Sequence, residues 1–300
     1  MTTVTPLGPE SPSSILQRSI SPQRRIRNGF ATTWMVASVI AALVPLVLVF
    51  GYVVQRGLKV VDWSFLTEDI PIISRQPGGG MYPAIVGTIV ITFWAIAMAV
   101  PLGVLAAIYL QEYGGSRRLP GVIRFMADVM TGVPSIVMGL FIYTIWVLQH
   151  GLSGFAGSLA LGALMLPIII RSTEEMLRLV PDDLRRASDA LGARRWRTTV
   201  TVVIPAALPG IVSGVMLAVA RAAGETAPLL FTIGASRKAN WNAFEGVNTA
   251  LPLQIYNNAK QPFDAAVDRA WGAAFTLIVI VFVCTVVARI VSSRFATRVQ

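Results

Sequence analysis

Two residues in this sequence lie where charge is hard to keep. Arg221 and Glu225 are four residues apart inside an apolar run of about 207–233, so one helix would carry both on a single face. Counting about 1.5 Å per residue from Pro209 puts Arg221 roughly 18 Å along that helix, near the midplane of a bilayer. A charge at that depth costs at least about 2.5–3.5 kcal/mol, so the pair is expected to face a bundle interior or a partner subunit rather than lipid. One reading is a structural ion pair that holds helices together; the other is a substrate path. In the second, a guanidinium offers a planar fork of donors that matches the oxygens of an oxyanion. A carboxylate beside such a site repels the anion unless the anion carries a proton it can donate.

A second pair is Asp128 and Arg171, near the starts and ends of neighbouring apolar runs, where the two can lie level. A salt bridge, structural or gating, is one expectation; a place for Arg171 in the anion path is the other. Gly132-Val133-Pro134 falls inside an apolar run and predicts a kink, because proline removes a backbone donor and clashes with the preceding turn. Gly132 and Pro134 are therefore hinge candidates, with a static bend as the alternative. Gly210 and Gly214 form a Gly-x-x-x-Gly step that permits close helix contact. His150 is the only histidine and Cys284 the only cysteine, so no metal cluster, no catalytic set and no intrachain disulfide is expected.

The elements that must hold these residues are membrane spans. The chain of 300 residues is 54% hydrophobic and 13% charged, with a mean hydropathy of +0.66. Soluble domains carry roughly 25% charged residues. Apolar runs at about 30–54, 83–110, 122–148, up to Arg171, 207–233 and 271–291 predict six transmembrane helices in an all-α membrane protein. Residues 1–28 read as a disordered basic cytoplasmic tail, 29–79 as the first span and an extracytoplasmic loop, 80–291 as the core with a polar insert at 172–199, and 292–300 as a second cytoplasmic tail. The loop holds the flexible run Pro77-Gly78-Gly79-Gly80, and the apolar patch 249–256 reads as a short interfacial or re-entrant helix. Of 25 basic residues, only Arg56, Lys59, Arg75, Arg237, Lys238, Lys260 and Arg269 fall on the side opposite the termini and the insert. That bias puts both termini and the insert in the cytoplasm and makes the net charge of +10 a membrane-orientation signal, not a nucleic-acid one.

Within the insert, Leu184, Ala187, Ser188 and Leu191 recur at helical spacing as a narrow stripe of small and apolar side chains. Pro181 and Asp182 suit the start of that helix and Gly192 its stop. Such a helix either docks into a groove of another protein or folds back on its own bundle.

The insert resembles the EAA loop of ABC importer permeases. The match is Arg186-Ala187-Ser188, then Gly192, then Val202-Val203-Ile204-Pro205, with Arg186 where the family has Glu and Ser188 where it has the second Ala. The run Arg221-Ala222-Ala223-Gly224-Glu225-Thr226-Ala227-Pro228-Leu229-Leu230 resembles the A-type permeases of phosphate-specific transport systems. So do Gly132-Val133-Pro134-Ser135-Ile136-Val137, Arg171-Ser172-Thr173-Glu174-Glu175 and Leu251-Pro252-Leu253-Gln254-Ile255-Tyr256. The resemblance covers about 80–291. It implies the type I importer permease bundle, with a substrate path past Arg221, Glu225 and Arg171 and ATPase coupling through Leu184, Ala187, Ser188, Leu191 and Gly192. It further implies a second homologous permease, ATP-binding subunits and an extracytoplasmic phosphate-binding protein as partners in the cell membrane. The sequence has no Gly-x-x-x-x-Gly-Lys-Ser/Thr loop, so no cofactor is expected in this chain, and ATP and Mg are expected on the partner ATPase. The alternatives are an ABC permease for another oxyanion or nutrient, and an ion-coupled secondary transporter. The second would show inverted repeats between halves, and none is evident.

Overall fold

The computed structural model describes residues 22–115 and 118–296. Most of the expected N-terminal tail, Arg117 and the last four residues lie outside the described residues. Contacts divide the chain into two compact units, Met1–Tyr52 and Val53–Gln300.

The first unit holds most of α1 (Pro22–Gly57), an apolar helix with Pro45 inside it. Residues 22–28, read from the sequence as tail, are already helical. Proline suits a first helical turn, and the Gln and Arg residues after it are good helix formers.

The second unit contains α2 (Trp63–Thr67) and α3 (Tyr82–Ile108), which a π-turn, Tyr109–Tyr113, extends. Next come α4 (Arg118–Gly132) and α5 (Ser135–Ile142), the latter running through a second π-turn, Tyr143–Val147, to His150. The remaining elements are α6 (Gly154–Arg178), α7 (Asp182–Ala190), α8 (Arg195–Thr198), a third π-turn (Thr199–Val203), α9 (Ile204–Ala223), α10 (Leu229–Thr232), α11 (Leu251–Ala259) and α12 (Asp264–Ala296). Among the described residues, five helices are long and apolar enough to cross a bilayer, and the pair α4–α5 makes a sixth crossing if counted together.

Helix α6 is the axis of the core. Its Leu161, Met165 and Ile169 are at most 2% exposed. Lipid supplies no hydrophobic drive between helices, so close packing rests on small residues at the crossings. On one side α3 brings Ala95, Ala99 and Gly103 against α6, and a Cβ on Gly103 would lie 2.7 Å from Ile169 Cγ2. On the other side α9 brings Gly210 and Gly214, where a Cβ would meet Met176 Sδ at 2.3 Å and Ser172 Oγ at 2.4 Å. The Gly-x-x-x-Gly step is thus a helix contact.

Two of the expected spans are not single helices. The third breaks at Val133-Pro134, and its halves meet at 105°, far more than a kink. A residue before proline is pushed out of the helical region, and Pro134 itself sits at ψ 136°, so the turn cannot continue. The fifth stops at Ala223, with Gly224 as its cap, and resumes only at Leu229.

The patch at 249–256 forms α11, which packs inside the bundle. Leu251 N–H donates to Thr88 Oγ1 at 2.8 Å, and a Cβ on Gly87 of α3 would lie 1.7 Å from Thr249 O. The glycine run at 78–80, expected to be flexible, is tied down by Arg269 of α12. That side chain is buried and donates to the carbonyls of Ser74, Gln76 and Gly78.

Candidate functional site

The two helix breaks meet. The first, Gly132-Val133-Pro134, and the second, between α9 and α10, approach across α6 around a cavity of about 340 Å³. Residues 130–135, Leu164, Pro167 and Ile168 of α6, Arg221 and Glu225 line it. Contact between the breaks is tight at Gly139 of α5, where a Cβ would lie 2.5 Å from Pro228 Cα. Interrupted backbone at membrane depth is tolerated where protein or a water-filled cavity satisfies it, and paired broken helices of this kind are where transporters hold ions.

Arg221 and Glu225 line this cavity together, but not as the single-helix face read from the sequence. Arg221 occupies the last turn of α9, where the carbonyl end of the helix favours a cation. Glu225 lies past the helix end, its N–H donating to Ala222 O at 3.1 Å. Arg221 Nε and Glu225 Oε1 are 3.7 Å apart, an ion pair too long for a hydrogen bond. The Arg221 side chain is 69% exposed and that of Glu225 21%. The site therefore combines an available guanidinium, a carboxylate beside it and the first turn of α5, where the Val137 N–H already bonds to Pro134 O at 2.9 Å and only the N–H groups before it precede an intrahelical acceptor. Ser135 lines the same cavity. By their chemistry, a guanidinium fork can bind an anion and the carboxylate beside it can accept a hydrogen bond from a protonated one.

Arg171 does not line that cavity. It sits one turn beyond Pro167 on α6 and is ion-paired with Asp128 of α4. The next turn of α6 repeats the arrangement: Glu174 accepts from Arg124 Nε of α4 at 2.6 Å and lies 4.0 Å from Arg171. A second cavity of about 440 Å³ opens here, lined by Gln111, Arg124, Arg171, Glu174, Glu175 and Arg178. The two cavities thus follow one another along α6, with α4 flanking both. Gly132 and Pro134 form the break itself, yet nothing lies within 4 Å of a Cβ on Gly132.

In the insert, α7 spans Asp182–Ala190, led by Pro181 and followed by Gly192 at φ +79°. Leu184, Ala187 and Leu191 are exposed, Leu191 by 88%. Ser188 departs from the expected stripe: it turns inward, and its hydroxyl pairs with that of Thr198 at 2.9 Å. Arg124, Glu174 and the Gly139–Pro228 contact are not legible in the sequence as site elements; the only signal there is the spacing of Arg124 to Asp128 and of Arg171 to Glu174, four and three residues apart, while Arg124 and Glu174 themselves are 50 residues apart.

A membrane-crossing helical bundle with paired breaks around a charged cavity, and a short exposed helix on a polar insert, has the architecture of a transport permease. Residues 99–300 match the family described as binding-protein-dependent transport system inner membrane component, and the chain belongs to that family. It is similar to the phosphate transport system permease protein PstA of Mycobacterium leprae, 48% identical over 89% of each chain. It is also similar to PstA 1 of Mycobacterium tuberculosis, at 45% over 95% of this chain and 94% of that one, and to PstA of Yersinia pestis, at 38% over 90% and 92%. Among solved structures, the inward-facing MetNI methionine ABC transporter matches with a TM-score of 0.52 at 19% identity, covering 74% of this chain and 94% of that one. A bacterial ABC transporter involved in alginate import matches with a TM-score of 0.53 at 14% identity, covering 90% and 99%. The fold is that of type I ABC importer permeases.

Proposed function

We propose that this chain is the permease subunit of an ATP-driven importer of inorganic phosphate and forms half of its path. The observation that carries the reading is the cavity where Arg221 and Glu225 meet at two helix breaks, in a chain whose relatives at 38–48% identity are named phosphate transport permeases. Near neutral pH phosphate exists as anions that keep at least one proton. Arg221 receives the anion on its fork, and the phosphate hydroxyl donates to Glu225. In the empty site Glu225 neutralises Arg221 from 3.7 Å, loosely enough for the anion to displace it and later to leave. The exposed side of Arg221 faces a second, homologous permease that completes the cavity. Arg171 and Asp128 close the way along α6 in this state; when they part, Arg171 becomes the next station for the anion.

ATP-binding subunits, holding ATP with its Mg, dock on the exposed face of α7 formed by Leu184, Ala187, Leu191 and Gly192, with Ser188 bracing that face from behind. An extracytoplasmic phosphate-binding protein docks on the other side. The distribution of Lys and Arg supports cytoplasmic termini and a cytoplasmic α7.

The test is labelled phosphate uptake by the whole candidate complex, with and without this chain, in cells lacking their own high-affinity system. Uptake is expected to need this chain and ATP and to ignore sulfate. ATP-dependent uptake of another oxyanion instead would keep the coupling and discard the substrate. Uptake that persists without an ATPase would point to an ion-coupled carrier. Glu225→Gln is expected to let sulfate compete and to lower the preference for phosphate about tenfold, the worth of a hydrogen bond to a charged group. Unchanged selectivity in that variant would remove Glu225 from the mechanism.

A further inference from the structure

The inward face of α7 carries a residue that docking does not use. Arg185 is turned away from the exposed stripe, and its side chain is 18% exposed. It donates four hydrogen bonds. Nη1 reaches Val180 O at 2.6 Å and Asp182 Oδ1 at 3.1 Å. Nη2 reaches Leu177 O at 2.9 Å and Glu112 Oε1 at 2.9 Å. The first three acceptors belong to α7 itself, to the turn before it or to the end of α6, so they only fasten the insert to its own stem. Glu112 is different, because it lies at the far end of α3, in the π-turn Tyr109–Tyr113.

Glu112 is 6% exposed. A buried carboxylate stays charged only if a cation is paired with it, and removing the partner is costly. π-turns are rare interruptions of the α-helix and are frequent at functional sites. The inward face of α7 touches a second one nearby: Ser188, one turn after Arg185, bonds Thr198, immediately before the π-turn Thr199–Val203 that leads into α9. The chain already joins α7 to α6 and, through α8, to α9, but it does not join α7 to α3. Yet α3 shares with α6 the core that flanks both cavities.

We propose that Arg185 is the positioning residue through which displacement of α7 reaches α3. With Glu112 it clamps the coupling helix to the π-turn at the end of α3, so that α3, α6 and α7 move as one body. Without the clamp, displacement of α7 bends the insert and leaves the path walls where they were. The inference rests on the reading of α7 as the ATPase-docking element.

The experiment measures labelled phosphate uptake and ATP hydrolysis together in vesicles carrying the whole complex. The chain is wild type, Arg185→Ala, Arg185→Lys or Glu112→Gln. Expected is ATP hydrolysis in all four, with phosphate moved per ATP reduced about tenfold in Arg185→Ala and Glu112→Gln. Arg185→Lys falls between, since an ammonium keeps the charge but cannot span four acceptors. A merely anchoring pair would lower uptake and hydrolysis together through loss of complex, and an unchanged ratio overturns the proposal. Should Arg185→Ala fail to accumulate, the near-isosteric Glu112→Gln decides by the same ratio. Loss of the complex in all three variants also overturns it, because the pair is then a requirement of folding. Wild-type uptake driven by ATP, with normal ratios in the variants, sinks the clamp alone; wild-type uptake that needs no ATP sinks the docking reading with it.

Discussion

Arg221→Ala is expected to lower phosphate uptake about a hundredfold or more while leaving the amount of protein in the membrane near normal. The loss follows from the proposed path: a bidentate guanidinium–phosphate contact comprises two hydrogen bonds to a charged group, each worth about 1.5–3 kcal/mol. The tolerance in abundance follows from the geometry. The Arg221 side chain is largely exposed and its contact with Glu225 is 3.7 Å, so truncation removes little packing. Glu225 would be left beside an open cavity of about 340 Å³ and can be hydrated. Arg221→Lys should be intermediate, because the charge survives and the fork does not. Uptake and immunodetected abundance measured on the same membranes decide the matter. Normal uptake in Arg221→Ala would take the path away from this cavity, and loss of the protein would make the pair a structural one.

A second large effect is expected where no charge is involved. Gly139→Ala should reduce uptake at least about tenfold, with an overpacking cost of about 1–3 kcal/mol. Its Cβ would stand 2.5 Å from Pro228 Cα and 2.9 Å from Pro228 O. Both are backbone atoms, so no rotamer change relieves the overlap, and α5 must move away from the segment that carries Glu225. Gly132→Ala is the control. Nothing lies within 4 Å of its Cβ, and its φ is not among the positive ones, so uptake within about twofold of wild type is expected. The sequence offered Gly132, with Pro134, as a hinge candidate; the packing makes Gly139 the position where a methyl group matters. Equal effects of the two substitutions would contradict the close approach of the breaks.

Helix α7 was readable almost to the residue. Pro181, Asp182 and Gly192 are local punctuation, and α7 starts and stops by them. Its orientation was not readable, because Ser188 and Arg185 turn inward to meet Thr198 and Glu112, the latter 73 residues away in sequence. Charge patterning offered Asp128 as a partner for Arg171, beside a place for Arg171 in the anion path. That Glu174 and Arg124 form the next rung emerged only when α4 lay against α6.

By itself the sequence determined what is local: the apolar runs that must cross a bilayer, the punctuation that starts and ends α7, and the presence of a few charges too costly to leave facing lipid. The tertiary structure alone decided that the kink expected at Gly132-Val133-Pro134 is a full break, where the second run breaks, and that the breaks meet. It also decided that Arg221 sits at a helix end with Glu225 beyond it, and that Gly139 is where the walls touch. The physical reason is that hydropathy and helix signals act over one or two turns. Helices in lipid, by contrast, are held by shape at small-residue crossings and by a few ion pairs, whose partners lie far apart along the chain.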